Sequence, residues 1–239
     1  MSPPSPYFNL VFPVGQSSYY FNNCWIQSPQ IEGVTLKPSC STYLKGTKMV
    51  GVRFYPYGLA SFLDISPKEI LNKTAKLSFL LSESEYGFLN RIAKAKNDKE
   101  ILSSINNLLS KRFKKNYQKN KLVIDCYHYF KQAEQFTTIE SFIRQYGTNY
   151  RTLNRYFSTV VGISTKKFER LIKFRKSLCS LTTNSERLTT IGVDAGYFDQ
   201  SHFVREFKLF MNYKPSAFYS LINTATEKNN QFNYNFTLY

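Results

Sequence analysis

Histidine is scarce: His128 and His202 are the only two among 239 residues. A cupin-type metal site needs several histidines close together on strands, and both of these lie outside the strand-like N-terminal part. No H-E-x-x-H, Gly-rich phosphate loop or Ser-His-Asp order is present. The four cysteines, Cys24, Cys40, Cys126 and Cys179, are not spaced as C-x-x-C and have no histidine cluster beside them. They read as reduced, mostly buried thiols of a cytosolic protein, neither zinc ligands nor a disulfide framework. No run of about 18 apolar residues occurs, so no segment is expected to span a membrane. Met1–Pro6 has neither the basic stretch nor the apolar core of a signal peptide.

Acidic residues are also few. Sixteen Asp and Glu stand against 32 Lys and Arg, a formal net charge of +16. That balance suits a polyanionic partner, nucleic acid ahead of anionic membrane. A hydrophobic content of 42% with 17% aromatics excludes a basic disordered tail. The length accommodates two modest domains.

The C-terminal half carries the most pattern. Thr138 can cap a helix whose Ile139, Phe142, Ile143 and Tyr146 follow helical spacing, and Gly147 stops it. Asn149 then opens a second helix with Leu153, Tyr156 and Phe157 on one face and Arg151, Asn154 and Arg155 on the other. A recognition helix presents such N-terminal residues to base edges. Arg suits guanine O6/N7, and Asn suits adenine N6/N7. Gly162 resets the chain, and Ser164 or Thr165 starts a helix of about 18 residues marked by Phe168, Leu171, Ile172, Arg175, Leu178 and Leu181. At 1.5 Å per residue it spans roughly 27 Å, about what holds two recognition helices near one DNA turn, ~34 Å, apart. Lys166, Lys167, Lys173 and Lys176 lie off its apolar stripe, placed either for phosphate contact or simply for solvation.

Leu188, Ile191 and Val193 form a short apolar run before a turn at Gly196. Asp199 can cap a last recognition helix with Phe203, Phe207 and Phe210 buried and Gln200, Ser201, His202 and Arg205 outward. Pro215 starts a short closing turn of helix.

The run GYFDQSHFVREFK at Gly196–Lys208, followed by P-S-A-F-Y at Pro215–Tyr219, resembles the signature of the AraC/XylS family of bacterial transcription regulators. Leu153, Arg155, Phe157 and Gly162 sit where that family has L-x-R-x-F and its following Gly, so the resemblance covers about 84 residues, Thr137–Ser220. Departures are Ile143 for a small residue, Gly192 for Ala, Thr165 for Pro and Asn212 for Gly. The resemblance implies that Arg151, Asn154 and Arg155 enter one major groove and Gln200, Ser201, His202 and Arg205 the next. Lys166, Lys167 and Lys208 join them as DNA-contacting residues. Double-stranded DNA is the implied partner, with RNA polymerase and a small-molecule effector as further ones and no membrane. No reaction, cofactor or metal is expected.

Upstream, residues Met1–Leu81 read as strands and turns. Leu10–Phe12 and Ser18–Phe21 are strand-like, and Ile31–Leu36 could pair with Met49–Tyr55, where Val50, Val52 and Phe54 alternate with Gly51, Arg53 and Tyr55. Leu59–Leu63 looks like a short helix. Aromatics such as Tyr19, Phe21, Trp25, Phe54 and Tyr55 serve either as β core or as a pocket lining. The G-V-R-F-x-P at Gly51–Pro56 resembles one AraC/XylS subgroup with a small cupin-like N-terminal domain. Family members carry further strands before Leu10–Phe12, so this β domain is either abbreviated or starts upstream. Three helices are expected over Ser82–Gln135, the first capped by Ser84, with a basic cluster at Lys111, Arg112, Lys114, Lys115, Lys119 and Lys121. That cluster is a solvated loop or an added phosphate contact.

The expected class is therefore α+β: a small, partly cupin-like β domain for sensing or dimerisation (1–81), a helical connector (82–136), an all-α domain of two tandem helix-turn-helix units joined by a long helix (137–220), and a polar tail (221–239). Two other classes stay open at this point. One is a cupin-type metal-dependent enzyme with an accessory helical domain. The other is a sequence-blind basic nucleic-acid binder, which the charge permits but which leaves Asn154, Gln200 and Ser201 unexplained.

Overall fold

The structure, a computed structural model, describes residues 1–95, 97–113, 117–132, 137–183 and 187–227. Strand β1 (Phe8–Pro13) is the centre of the N-terminal part. Its Phe8, Leu10 and Phe12 are fully buried and its Asn9 and Val11 only partly so, the two-residue period of a half-buried strand. It pairs antiparallel with β4 (Gln30–Glu32) on one side and with β6 (Met49–Phe54) on the other, and β7 (Thr74–Lys76) extends the sheet beyond β4. On the outer face Asn9 bridges both neighbours: its Nδ2 donates to Glu32 at 2.9 Å and its Oδ1 accepts from Arg53 Nε at 3.0 Å.

The expected pairing of Ile31–Leu36 with Met49–Tyr55 is thus corrected, because β1 lies between the two. Alternation shows which residues of a strand point inward but not which strand lies next to it. The first of those segments is also shorter than expected. A Cβ on Gly33 would stand 1.9 Å from the Ile70 carbonyl oxygen, so the chain leaves the sheet there against another backbone.

A second antiparallel sheet places β2 (Tyr19–Phe21) between β3 (Cys24–Ile26) and β5 (Ser41–Tyr43). Asn22 and Asn23 join β2 to β3 with φ of 47° and 65°, the two positive values that a tight hairpin turn requires. Of the expected pocket-or-core aromatics, Tyr19 and Phe54 are buried, whereas Trp25 and Tyr55 are exposed. The cysteines depart from expectation as well. Cys126 is buried and Cys179 half-buried, but Cys24, on the edge strand β3, and Cys40, just before β5, are exposed.

Helices α1 (Glu83–Lys94), α2 (Asp98–Arg112) and α3 (Tyr117–Gln132) follow a pair of 3-10 turns. The cap of α1 is Ser82, two residues before the expected Ser84, since Glu85 accepts from the Ser82 backbone N–H at 2.8 Å. The basic cluster resolves in part into structure. Arg112 donates to both Glu85 carboxylate oxygens at 2.6 Å and to the Leu80 carbonyl at 2.7 Å, tying the end of α2 to the start of α1. Lys111 and Lys121 are exposed, while Lys114, Lys115 and the Lys119 side chain lie outside the described residues.

Among the described residues six further helices follow: α4 (Ile139–Tyr146), α5 (Tyr150–Val160), α6 (Thr165–Thr183), α7 (Leu188–Asp194), α8 (Gln200–Met211) and α9 (Pro215–Glu227). The closing helix runs beyond the short turn expected at Pro215, so 221–227 are helical; 228–239 lie outside the described residues. One continuous apolar cluster runs from Tyr7 to Phe218. Contacts at two places on the helical part hold the N-terminal chain to it. Arg175 of α6 donates to the Pro4 carbonyl at 3.0 Å and lies over the Tyr7 ring, whose hydroxyl meets that of Tyr127 on α3 at 3.1 Å. At Gly162, which has φ +83°, a Cβ would fall 2.7 Å from the Pro67 carbonyl carbon.

Gly162→Ala should therefore cost about 2–3 kcal/mol, since both the backbone angle and the neighbouring chain reject a methyl group. Urea unfolding measures it. A second expectation concerns acid. The hydrogen bonds from Arg112 hold the Glu85 carboxyl at about 2, below its ordinary value of 4.5. The stability this pair contributes is complete above about pH 4.5 and disappears as the pH falls towards 2. Melting temperatures of the parent and of Glu85→Gln should converge across that window.

Candidate nucleic-acid interface

Helices α4, α5 and α8 are each started by a side chain that accepts a backbone N–H, whereas α7 begins at Arg187 without such a cap. Thr138 Oγ1 accepts from Ser141 at 3.1 Å, Asn149 Oδ1 from Thr152 at 2.9 Å, and Asp199 Oδ1 from His202 at 2.6 Å. Gly147 ends α4 in the left-handed conformation at φ 60°, and Asn212 ends α8 the same way at φ 62°. Asn is the side chain that best tolerates this angle after Gly, so its presence at 212 leaves the stop intact. Ser164 caps α6, its Oγ accepting from Lys167 N–H at 3.2 Å.

Helix α6 spans 19 residues and packs at its start against α4 and α5 and further along against α7, α8 and α9. At 1.5 Å per residue it is roughly 28 Å long. All six residues of the expected stripe, Phe168, Leu171, Ile172, Arg175, Leu178 and Leu181, are buried. The backs of the two recognition helices are equally enclosed: Leu153 and Phe157 on α5, Phe203 and Phe207 on α8.

Outside, the candidate residues divide. Arg151 and Arg155 are exposed along α5, and the Arg155 guanidinium lies over the neighbouring Tyr156 ring at 5.4 Å. On α8, Gln200, Ser201, Arg205 and Lys208 are exposed. His202 is half-buried. Its Nδ1 accepts from Phe198 N–H at 3.5 Å, and its ring stands edge-on to Tyr197 at 5.4 Å, so it braces the turn while its other nitrogen is left for contact. Lys167 is exposed. Lys166 pairs at 3.0 Å with Glu169, which is 1% exposed, and Lys173 approaches the same carboxylate at 3.8 Å. Burial pushes the Lys173 and Lys176 ammonium groups below their ordinary value. Both lie half-buried along α6, less open to phosphate than Lys167.

Asn154 is already engaged within the protein. Its Oδ1 accepts from both the backbone N–H and the hydroxyl of Thr165, at 3.1 and 3.4 Å. Both lone pairs of that oxygen are used, so bidentate pairing with adenine is not open to it in this arrangement. The cause is local. Thr165 begins α6 and carries an N–H that a proline there would lack, and Asn154 satisfies it.

Sequence reasoning missed one further tie. Arg170 on α6 donates through Nε and Nη2 to the two oxygens of Glu206 on α8, at 2.7 and 2.9 Å. This fork locks the rod to the second recognition helix. The only trace in the sequence was an acidic residue among the phenylalanines of α8. Gly192 also gains a reason: a Cβ there would come within 3.1 Å of Phe203 Cβ, so the missing methyl lets α7 approach α8.

Two capped helices with enclosed backs and polar tips, carried on one shared rod, define a double helix-turn-helix reader. Residues 142–220 match the family model described as helix-turn-helix domain, and residues 2–76 match a domain of unknown function, DUF6597. No curated protein matches the chain. Among solved structures, ToxT from Vibrio cholerae is similar at 13% identity with a TM-score of 0.47, covering 92% of this chain and 96% of that one. The C-terminal domain of AraT, a response regulator from Geobacillus stearothermophilus, is similar at 22% identity and a TM-score of 0.40, covering 42% and 84%. The DNA-binding domain of AdpA, a global transcriptional factor solved with a target DNA, gives 12% identity and 0.38, covering 47% and 96%. The chain thus carries a helix-turn-helix domain of the AraC/XylS type and is a DNA-binding transcription regulator. None of its described helices is long and apolar enough to cross a membrane.

Asn154→Ala should lower stability by about 1 kcal/mol, the usual worth of a cap. In a Thr165→Pro background, which removes the N–H that Asn154 serves, the same change should cost close to nothing. A double-mutant cycle in urea measures the difference, and equal costs in both backgrounds would reject the capping role.

Proposed function

We propose that α5 and α8 dock in successive major grooves of one DNA duplex, with Arg151, Arg155, Gln200, Ser201, His202 and Arg205 at base edges. The observation that carries this reading is the contrast between the two faces of each helix: Leu153, Phe157, Phe203 and Phe207 are fully buried, whereas Arg151, Gln200 and Arg205 are exposed. Lys167 and Lys208 contact phosphate, and Lys166 does so with its charge shared with Glu169. Phosphate contacts supply position and affinity, and base contacts supply choice of sequence.

In the same reading residues 1–81 serve sensing or dimerisation, 82–136 connect, and 137–220 read DNA, in the cytoplasm. Support for a working connection comes from Arg175 and Gly162, which place the N-terminal chain against the rod and the first unit. A small-molecule effector and RNA polymerase are the further partners that the family resemblance suggests.

Selection of bound duplexes from a random pool at ~150 mM salt tests the reading. One motif should emerge with two contacted stretches about 10 base pairs apart. Arg205→Ala should then relax preference within one stretch, by about 1–3 kcal/mol of discrimination. Lys208→Ala should weaken all duplexes alike and lower the salt slope by about one. Equal affinity for every duplex would reject the proposal.

A further inference from the structure

Phe198 is 90% exposed, although it sits between a buried residue and a helix cap. On one side Tyr197 is 4% exposed; on the other Asp199 caps α8. The Phe198 N–H donates to His202 Nδ1 at 3.5 Å, and the His202 ring leans on Tyr197. The backbone of the turn is therefore braced while the phenyl ring stands in water. The helix that follows exposes Gln200 and Ser201 in its first turn and Arg205 in its second.

Resting on the DNA-docking reading above, we propose that Phe198 selects thymine: its ring packs on the C5-methyl group of one thymine at the edge of the stretch contacted by α8. The chemistry narrows the choice. A phenyl ring neither donates nor accepts a conventional hydrogen bond, and a major groove offers it one prominent apolar group, the thymine methyl. Cytosine has only a hydrogen at C5, and adenine and guanine present mainly polar edges there. The ring sits one residue before the Asp199 cap of α8, the helix whose exposed side chains are assigned to base edges, so the occupant is the duplex that helix touches. Because the ring has little packing of its own to lose, its contribution is realised on binding and not in folding.

The test uses the full chain and a duplex selected by it, in which each dT is replaced in turn by dU. Removing one buried methyl should weaken binding of the parent protein about fourfold at a single position. Phe198→Ser should bind the dT duplex at least fourfold more weakly and show no difference between dT and dU at that position. Phe198→Leu should retain part of the difference. Arg205→Ala should bind more weakly yet keep the dU response, which separates lost affinity from lost thymine reading. Unchanged thermal melting of Phe198→Ser confirms that the fold is intact. Three results overturn the proposal: no dU position that depends on residue 198, full affinity in Phe198→Ser, or an equal loss for every duplex with the dU pattern preserved. A parent protein that selects no duplex at all would reject the docking reading itself and this proposal with it.

Discussion

The C-terminal half depends on the enclosure of α6. Ten of its 19 residues are buried, among them the polar Thr165, Glu169, Arg175 and Ser177. A helix sheathed on most sides gains its energy from Phe168, Leu171, Phe174 and Leu178, but such contacts are non-directional. The polar groups set orientation, because each must find a partner once water is gone. Thr165 finds Asn154 on α5, Ser177 donates to the Phe174 carbonyl, Glu169 meets two lysines, and Arg175 reaches the Pro4 carbonyl. The Ser177 and Glu169 contacts stay within α6, while Thr165–Asn154, Arg175–Pro4 and the Arg170–Glu206 fork index it against the first unit, the N-terminal segment and the second unit.

The departures from the family pattern fall into the same scheme. Thr165 brings an extra N–H and Asn154 accepts it, so two positions that look unrelated in sequence form one joint. Asn212 takes the left-handed angle that glycine would have taken. Gly192 gives up helix propensity and gains close packing against Phe203. Ile143, the fourth departure, is half-buried and packs against the common core. The variations keep the reader geometry while redistributing which side chains hold it.

Legibility followed the range of the interaction. The caps at Thr138, Asn149 and Asp199, the stops at Gly147 and Gly196, and the stripe of α6 were all readable, because each is decided within a few residues of chain. The alternation of β6 was local for the same reason. Strand order was not, since β1 placed itself between two segments whose own patterns were compatible with pairing directly. The Arg170–Glu206 pair joins positions 36 apart, and nothing in either neighbourhood announces it. The Asn154 contact is long-range in another way: on α5 it stands near the recognition face, and only the path of α6 brings Thr165 to its carbonyl. Cys24 and Cys40 were misjudged because cysteine is usually enclosed, whereas a small sheet has too little interior to enclose them.

Pro4 and Pro67 are distant in sequence, yet both press on the scaffold that carries the first recognition helix. The grip is stiff at each point, a guanidinium against a carbonyl and bare backbone against a glycine. Stiff couplings transmit displacement, whereas a loose tether would absorb it. A rearrangement of the sheets would thus arrive as a lever stroke on α5 and the middle of the rod, tilting one groove-reading edge relative to the other. Control of this kind would alter the spacing of bound half-sites before it altered the strength of either contact.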